Sequence, residues 1–332
     1  MKKMKINFVS GVILALVFGT TLFTACSSDS DGGTSLSAPK YESTAAKYEI
    51  QNTNAAYQSI ELTASGDYII TKRGYRYVRP VALTTNVVSK FLARPEAGTR
   101  ATNGNIIYGK YTKISDTEYQ LEGFGTIVIT GSTDNAVSLQ ITETGGSTYT
   151  LTAAESNQAP ESEMTRNLCR TWKIASFSMK VVVAGRTYLD GEYTYDKYGA
   201  WNLFNDMKNS GMLSPEDIEN SPGSPDQISD EEWLELMEDA PLRVIFTKAG
   251  TYMVQYSGDR LAVATWSWKN EAEGEMRYSW NYDDLYATGS GLVKVGFRGN
   301  QLTLRESGEF ESSDISDEEG SVVLTWYMNE VQ

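Results

Sequence analysis

Aromatic rings at strand spacing are the residues best placed to do chemistry in this chain. Trp266 and Trp268 stand two apart, and Tyr278, Trp280 and Tyr282 repeat that spacing a few residues later. On a β-strand, residues two apart share a face. Thr265, Ser267, Ser279 and Asn281 then take the opposite face. The intervening Asn270 to Met276 stretch, rich in Glu and holding Gly274, reads as a hairpin connection. Such a face can stack on the C–H faces of sugar rings while polar neighbours bond the hydroxyls, or it can fill a barrel core. Tyr193, Tyr195, Tyr198 and Trp201 form a second group. Their place beside a predicted loop favours exposure and a binding role.

Other chemistries are narrowed by what is missing. The 332 residues contain no histidine, which removes Ser-His-Asp and Cys-His nucleophile systems and His-ligated metal sites. Two cysteines cannot make a disulfide framework or a Cys-rich zinc site. A net charge of -14 argues against nucleic acid as a partner. Two carboxylates suffice to hydrolyse a glycosidic bond, but nothing selects a pair from 43 acids. The expectation is therefore a non-catalytic protein without cofactor, with a glycan hydrolase as a lesser reading. Between Lys208 and Arg243 lie ten acids and no base, and Glu306 to Glu319 is a second acidic run. Oxygen-rich runs suit Ca²⁺. Neither run has the spacing of a calcium loop, so solvated surface is expected there and no metal.

One segment opposes the overall charge. Lys72, Arg73, Arg76, Arg79, Lys90, Arg94 and Arg100 are opposed by Glu96 alone, with Tyr75 and Tyr77 interleaved. Arg73, Arg76 and Arg79 are the candidates for an anionic-ligand patch. The other reading is a basic loop that docks on the acidic second half or is simply exposed.

The N-terminus gives an address. Lys2, Lys3 and Lys5 precede an uncharged, nearly all-apolar run from Phe8 to Phe23, as in a secretion signal over residues 1–25. Leu22-Phe23-Thr24-Ala25-Cys26 resembles the lipobox of bacterial lipoproteins, in which the cysteine is lipidated. Residues 26–40 begin with Ser27, Ser28, Asp29, Ser30, Asp31, Gly32 and Gly33, a composition that reads as a flexible tether. This acidic tract resembles the surface-export signal of Bacteroidetes lipoproteins. The resemblance implies an outer-membrane, lipid-anchored protein displayed at the cell surface. Lipidation at Cys26 leaves Cys169 without an intramolecular partner, as a buried inert thiol.

Beyond residue 40 the apolar residues alternate with polar ones. Tyr68 and Ile70, Tyr119 and Leu121, Ile127 and Ile129, and Val137, Leu139 and Ile141 each keep period two. The fold class expected is mainly β: two consecutive antiparallel β domains, each a barrel or a sandwich. The first is placed at 41–152 and the second at 166–332, with a structureless linker at 153–165. In the second, Thr171 to Val183 reads as a strand turning at Ala184-Gly185. The acid-rich stretch at about 200–240 reads as a short helical insertion that caps a barrel mouth or forms a mobile lid. A faint repeat aligns Leu62-Thr-Ala-Ser-Gly66-Asp-Tyr68-Ile-Ile70 with Phe246-Thr-Lys-Ala-Gly250-Thr-Tyr252-Met-Val254. A second alignment sets Val137 to Ile141 with Tyr149 to Leu151 against Leu292 to Phe297 with Leu302 to Leu304.

Leu168-Cys169-Arg170-Thr171-Trp172, Phe246 to Tyr252, Thr265 to Trp268 and Leu302-Thr-Leu304 occur in the order typical of small lipocalin-like domains of Bacteroidetes lipoproteins. Arg170 stands where that family has Gly. The resemblance covers about residues 165 to 332 and implies a fold more than a function. Together these readings point to a lipid-anchored envelope protein that binds a glycan or small amphipathic ligand through aromatics. A structural or assembly subunit of an adhesin or fimbria-like complex, joined to an envelope protein by strand pairing, is the alternative.

Overall fold

The computed structural model describes residues 36–73, 105–133, 136–213, 215–219, 223–229, 233, 240–256, 261–279, 290–312 and 318–331. Cys26, Arg76, Arg79, Trp280 and Tyr282 lie outside them, as do the signal and most of the tether.

The chain folds as two successive eight-stranded antiparallel barrels. The first comprises β1 (Ala46–Ile50), β2 (Tyr57–Leu62), β3 (Asp67–Lys72), β4 (Ile106–Lys113), β5 (Glu118–Leu121), β6 (Gly125–Thr133), β7 (Ala136–Glu143) and β8 (Thr148–Glu155). Neighbours in sequence are neighbours in the sheet, and β8 returns to β1 with Ile50 opposite Ala153. Closure removes the exposed edges that an open sheet of this kind would carry. Tyr48, Ile60, Leu62, Tyr68, Ile70, Leu121, Leu139 and Ile141 fill the interior, as the alternation requires.

The second barrel comprises β9 (Thr171–Val183), β11 (Pro241–Phe246), β12 (Thr251–Tyr256), β13 (Leu261–Asn270), β14 (Glu275–Ser279), β15 (Ser290–Arg298), β16 (Gln301–Ser312) and β17 (Glu318–Glu330), closed by β9 on β17. A ninth strand, β10 (Arg186–Thr194), lies outside this circuit. Thr171 to Lys173 of β9 pair with β11, whereas from Ser176 onward the same edge of β9 pairs with β10. The β10–β9–β17–β16 flank thus rises past the barrel rim. Its turn is the one read from Ala184-Gly185: both residues have positive φ, 52° and 77°. That is the twist a two-residue hairpin turn requires. Arg170 is buried, and its Nη1 donates to Glu330 Oε1 at 2.7 Å. It thereby ties the entrance of β9 to the end of β17.

The linker expected over 153–165 is shorter than predicted. β8 continues to Glu155, and a helix starts at Glu163 with Ser162 Oγ accepting from Thr165 N.

The first repeat alignment corresponds to equivalent elements, β2–β3 and β11–β12. In each, a Thr hydroxyl accepts from a backbone N–H four residues on, Asp67 N at 2.9 Å and Thr251 N at 3.1 Å. Gly66 and Gly250 take φ of 84° and 75° in the same turn, where a side chain would be strained. The second alignment is displaced by one strand. Val137 to Ile141 is β7, but Leu292 to Phe297 is β15, the equivalent of β6. Amphipathic hairpins share a pattern, so the pattern alone cannot count strands.

The barrels dock through the outer faces of these equivalent strands. Ile69, Ile106, Ile245, Met253 and Val263 form one apolar cluster between them. Lys47 Nζ donates to Thr251 Oγ1 at 3.4 Å, and Thr171 Oγ1 donates to Asp67 Oδ2 at 2.8 Å. In the strand-by-strand equivalence, Lys47 corresponds to Thr171 and Asp67 to Thr251. Each contact is therefore the mate of the other, as in a two-fold interface between like subunits.

Candidate ligand-binding ledge on the second barrel

Among the described residues, the two barrels differ most in the insertion after β10. Its helix, Lys197–Ser210, runs 14 residues and begins just before the short helical insertion expected at about 200–240. Asp196 caps its start, accepting from Tyr198 N at 3.0 Å and Gly199 N at 2.8 Å. Gly211, at φ 79°, ends it. Gly199, Leu203, Phe204 and Met207 bury the inner face, and the last three join the core of the second barrel. The helix lies against β10, with its buried face turned to the core of the second barrel. Gly199 is required there: a Cβ would stand 1.9 Å from Thr194 O.

The outer face of the helix is polar apart from one ring. Tyr198 is 50% exposed, one of two large hydrophobic side chains so exposed among the described residues. Its hydroxyl donates to Asp226 Oδ1 at 3.2 Å, and Lys197 Nζ lies 5.8 Å from the ring centroid. Trp201, one turn on, is half-buried against Phe204 at 5.4 Å between centroids. Asn202 and Asp206 flank these rings on the exposed surface. A ring with carboxylates and amides beside it offers stacking area and hydroxyl acceptors.

The remaining predicted aromatics sit deeper. Tyr193 is 4% exposed; its hydroxyl donates to Asp206 Oδ2 at 2.8 Å. Burial first, then the hydrogen-bonded carboxylate of Asp206, pushes its phenol pKa up. Tyr195 is wedged between Phe177 and Trp326, with centroids at 6.4 and 5.8 Å. Trp266 is 3% exposed, with Nε1 donating to Thr247 O at 3.1 Å. Trp268 donates to Thr165 Oγ1 at 2.9 Å, tying β13 to the helix before β9. Trp266 does face Tyr278 across the β13–β14 hairpin, and the shared face points into the core. Of the predicted set, Tyr198 is therefore the exposed ring, Trp201 lies half-buried against the second core one turn along the same helix, and Tyr193 and Trp266 lie inside.

Arg73 is engaged within the first barrel. Nε donates to Ala55 O at 3.0 Å and Nη2 to Asn52 O at 2.8 Å, with Ile50 O and Tyr57 O each at 3.4 Å. It clamps the β1–β2 connection through carbonyls, which leaves the anionic-patch role without its first member. Cys169 is buried, and burial pushes its thiol above the usual range.

Sequence reasoning missed a second constellation. Glu143 Oε1 accepts from Tyr57 at 2.6 Å and also from Tyr149, and the two rings lie nearly parallel at 6.3 Å. The two hydroxyls, Tyr149's more than Tyr57's, hold Glu143 below the usual carboxylate range. No local pattern reveals it, because its members come from β2, β7 and β8. Among the described residues there is no group of three or more metal-ligating side chains. Nor is any helix among them long and apolar enough to cross a membrane.

No family model matches the chain, and no curated protein matches it. Among solved structures, it matches a double-mutant form of the vaccine antigen transferrin binding protein B from Haemophilus parasuis Hp5, at 10% identity and a TM-score of 0.20. That match covers 83% of this chain and 54% of the other, so the chain spans about half of that protein's length.

Proposed function

We propose that this protein is a non-catalytic, lipid-anchored binding protein of the cell envelope. Acylation at Cys26 holds it to the outer membrane, displayed at the cell surface, and its second barrel takes a glycan or small amphipathic ligand on the Tyr198–Trp201 ledge. The observation that carries this reading is Tyr198, half-exposed on a capped helix that is built onto one barrel and has no counterpart in the other. Exposed aromatic area on a rigid element is costly in water, and it becomes favourable when a ligand covers it. The carboxylates beside it accept hydroxyl hydrogen bonds.

The test is a glycan-array screen, with insoluble polysaccharides added, of soluble residues 27–332. Saturable binding that weakens at least tenfold in Tyr198→Ala or Trp201→Ala, with the melting temperature of Tyr198→Ala unchanged, is the expected result. Binding that ignores both substitutions places the site elsewhere.

The assembly reading has its own observation. Among the described residues β10 is paired on one edge, to β9, so its outer edge remains a potential site for an added strand. Silence on the array together with a stable protein partner in detergent extracts would favour it.

A further inference from the structure

We propose that Arg170 holds a small carboxylate at the closed end of the second barrel. The site is separate from the Tyr198–Trp201 ledge, and neither depends on the other. Arg170 immediately precedes β9 and is 1% exposed. Phe246 N donates to Arg170 O at 3.1 Å, which carries the β9–β11 ladder one residue further. Arg170 therefore stands opposite Phe246 and two residues before Trp172, both of which belong to the core of this barrel. The helix Glu163–Leu168 crosses that end. It runs into β9 and is bonded to β13, three strands away around the barrel. Trp268 Nε1 donates to Thr165 Oγ1 at 2.9 Å, and Thr165 Oγ1 donates to Glu271 Oε1 at 3.2 Å. Leu168 is fully buried at the end of the helix, and Met164 and Leu36 pack against the same core.

One side of this guanidinium is occupied and the other is not. Nη1 donates to Glu330 Oε1 at 2.7 Å. Nε and Nη2 are buried and, among the described residues, take no hydrogen bond. These two nitrogens lie on one edge of the guanidinium plane, with their N–H groups side by side. That edge grips a carboxylate through two bonds at once. Buried donors in folded proteins are nearly always paired, and an unpaired one is most costly when it carries charge. Glu330 holds the far side of the group, so the open edge is already positioned for a ligand.

Charge selects the ligand class. The side chain of Glu330 is 25% exposed and shares its charge with water, so it does not fully neutralise Arg170. A carboxylate adds a single negative charge in a planar group that matches the edge. Phosphate would bring a second charge into a buried site, at a greater desolvation cost. The partly exposed Glu330 also marks the side on which the site approaches solvent. Arg170 leads into β9 and Glu330 ends β17, the two strands whose pairing closes the barrel. Occupancy of the edge is therefore read as stability of the second barrel.

Soluble residues 27–332 are unfolded in urea and refolded into chloride buffer, which strips any retained carboxylate. Thermal unfolding, followed by tryptophan fluorescence, is then measured against sodium formate, acetate and phosphate, with chloride at matched ionic strength as the baseline. The expected result is a saturable rise in the midpoint with formate and acetate, by about 4 °C or more, that is at least threefold smaller in Arg170→Met. Glu330 can regain water in that variant, so the fold should survive. In isotope-labelled wild type, formate should shift the Nε–H resonance of Arg170, assigned through bonds, with the same half-saturation. This measurement decides the question alone if Arg170→Met does not fold. A midpoint that follows ionic strength only, with an unmoved resonance, means that water pairs the edge and overturns the proposal. A rise undiminished in Arg170→Met places the anion elsewhere and overturns it as well. Stabilisation by phosphate and not by formate or acetate overturns the carboxylate assignment.

Discussion

Glu61 shows how one side chain can make the docking of the barrels depend on pH. It is buried on the outer face of β2 beside Lys47, and Thr247 and Thr251 of the second barrel bond its carboxyl. Oε1 has no hydrogen-bond partner. Burial raises its pKa, and Lys47 and the two hydroxyls oppose that rise without cancelling it. A group whose folded-state pKa is raised favours the fold in its protonated form. That contribution is complete below the unfolded carboxylate range and is lost as the pH climbs through the folded value. Each unit of elevation amounts to about 1.4 kcal/mol. Glu61→Gln, which cannot ionise, should match the wild type near pH 4 and become the more stable protein by about 1 kcal/mol or more at neutral pH. Melting curves of both proteins across that interval check it. Parallel pH profiles would show that Glu61 carries no linkage.

At the scale of the element, the helix Lys197–Ser210 sets two physical rules against each other. Alanine is a better helix former than glycine by about 1 kcal/mol, so Gly199→Ala should stabilise an unconstrained helix. Here the added Cβ would meet Thr194 O at 1.9 Å, well inside contact distance. The helix would have to lift from β10, and Leu203, Phe204 and Met207 would lose packing. The expected outcome is a loss of about 1–3 kcal/mol in urea unfolding, together with loss of whatever binds Tyr198. A gain in stability would mean that the helix sits loosely on the barrel. The same contrast explains what was legible in the sequence. Period-two alternation revealed β5, β6, β7 and β9, because each has one dry face and one largely wet face, and Ala184-Gly185 revealed the turn after β9. The docking face was hidden, since a buried outer face breaks the alternation. Its signal was present as runs of three, Tyr68-Ile69-Ile70 and Tyr252-Met253-Val254, apolar on both faces. The aromatic spacing was read correctly as shared faces, but spacing does not say which face is inside. Trp266 and Tyr198 look equally available until the helix and the barrel are both in place.

At the scale of the whole molecule, the barrels are joined by charged groups buried between them as well as by the apolar cluster. Asp67 is fully buried. Its Oδ2 accepts from Thr171 at 2.8 Å and Ser65 at 3.0 Å, and its Oδ1 accepts from Tyr108 at 3.0 Å and Lys110 at 2.7 Å. Lys248, also buried, binds Glu42 at 3.2 Å and Glu161 at 3.0 Å, which fastens the N-terminal segment and the connector to the second barrel. Each barrel has its own core, so each could unfold separately if the junction were weak. Ion pairs buried with all partners satisfied add rigidity; removal of one partner leaves the rest desolvated. Lys110 is half-exposed and can recover water, whereas Tyr108 and Thr171 lose their acceptor inside the junction. Asp67→Ala should therefore cost about 2–3 kcal/mol, most of it from the unpaired hydroxyls and the lost charge. More telling is the shape of the transition. The wild type should unfold in one cooperative step when followed by tryptophan fluorescence, which reports the second half of the chain because every tryptophan falls between residues 172 and 326 of the sequence, and by far-UV circular dichroism, which reports both barrels. In Asp67→Ala the two probes should separate, with one barrel melting before the other. Coincident transitions at an unchanged midpoint would show that the apolar cluster around Ile69 and Met253 alone holds the barrels together.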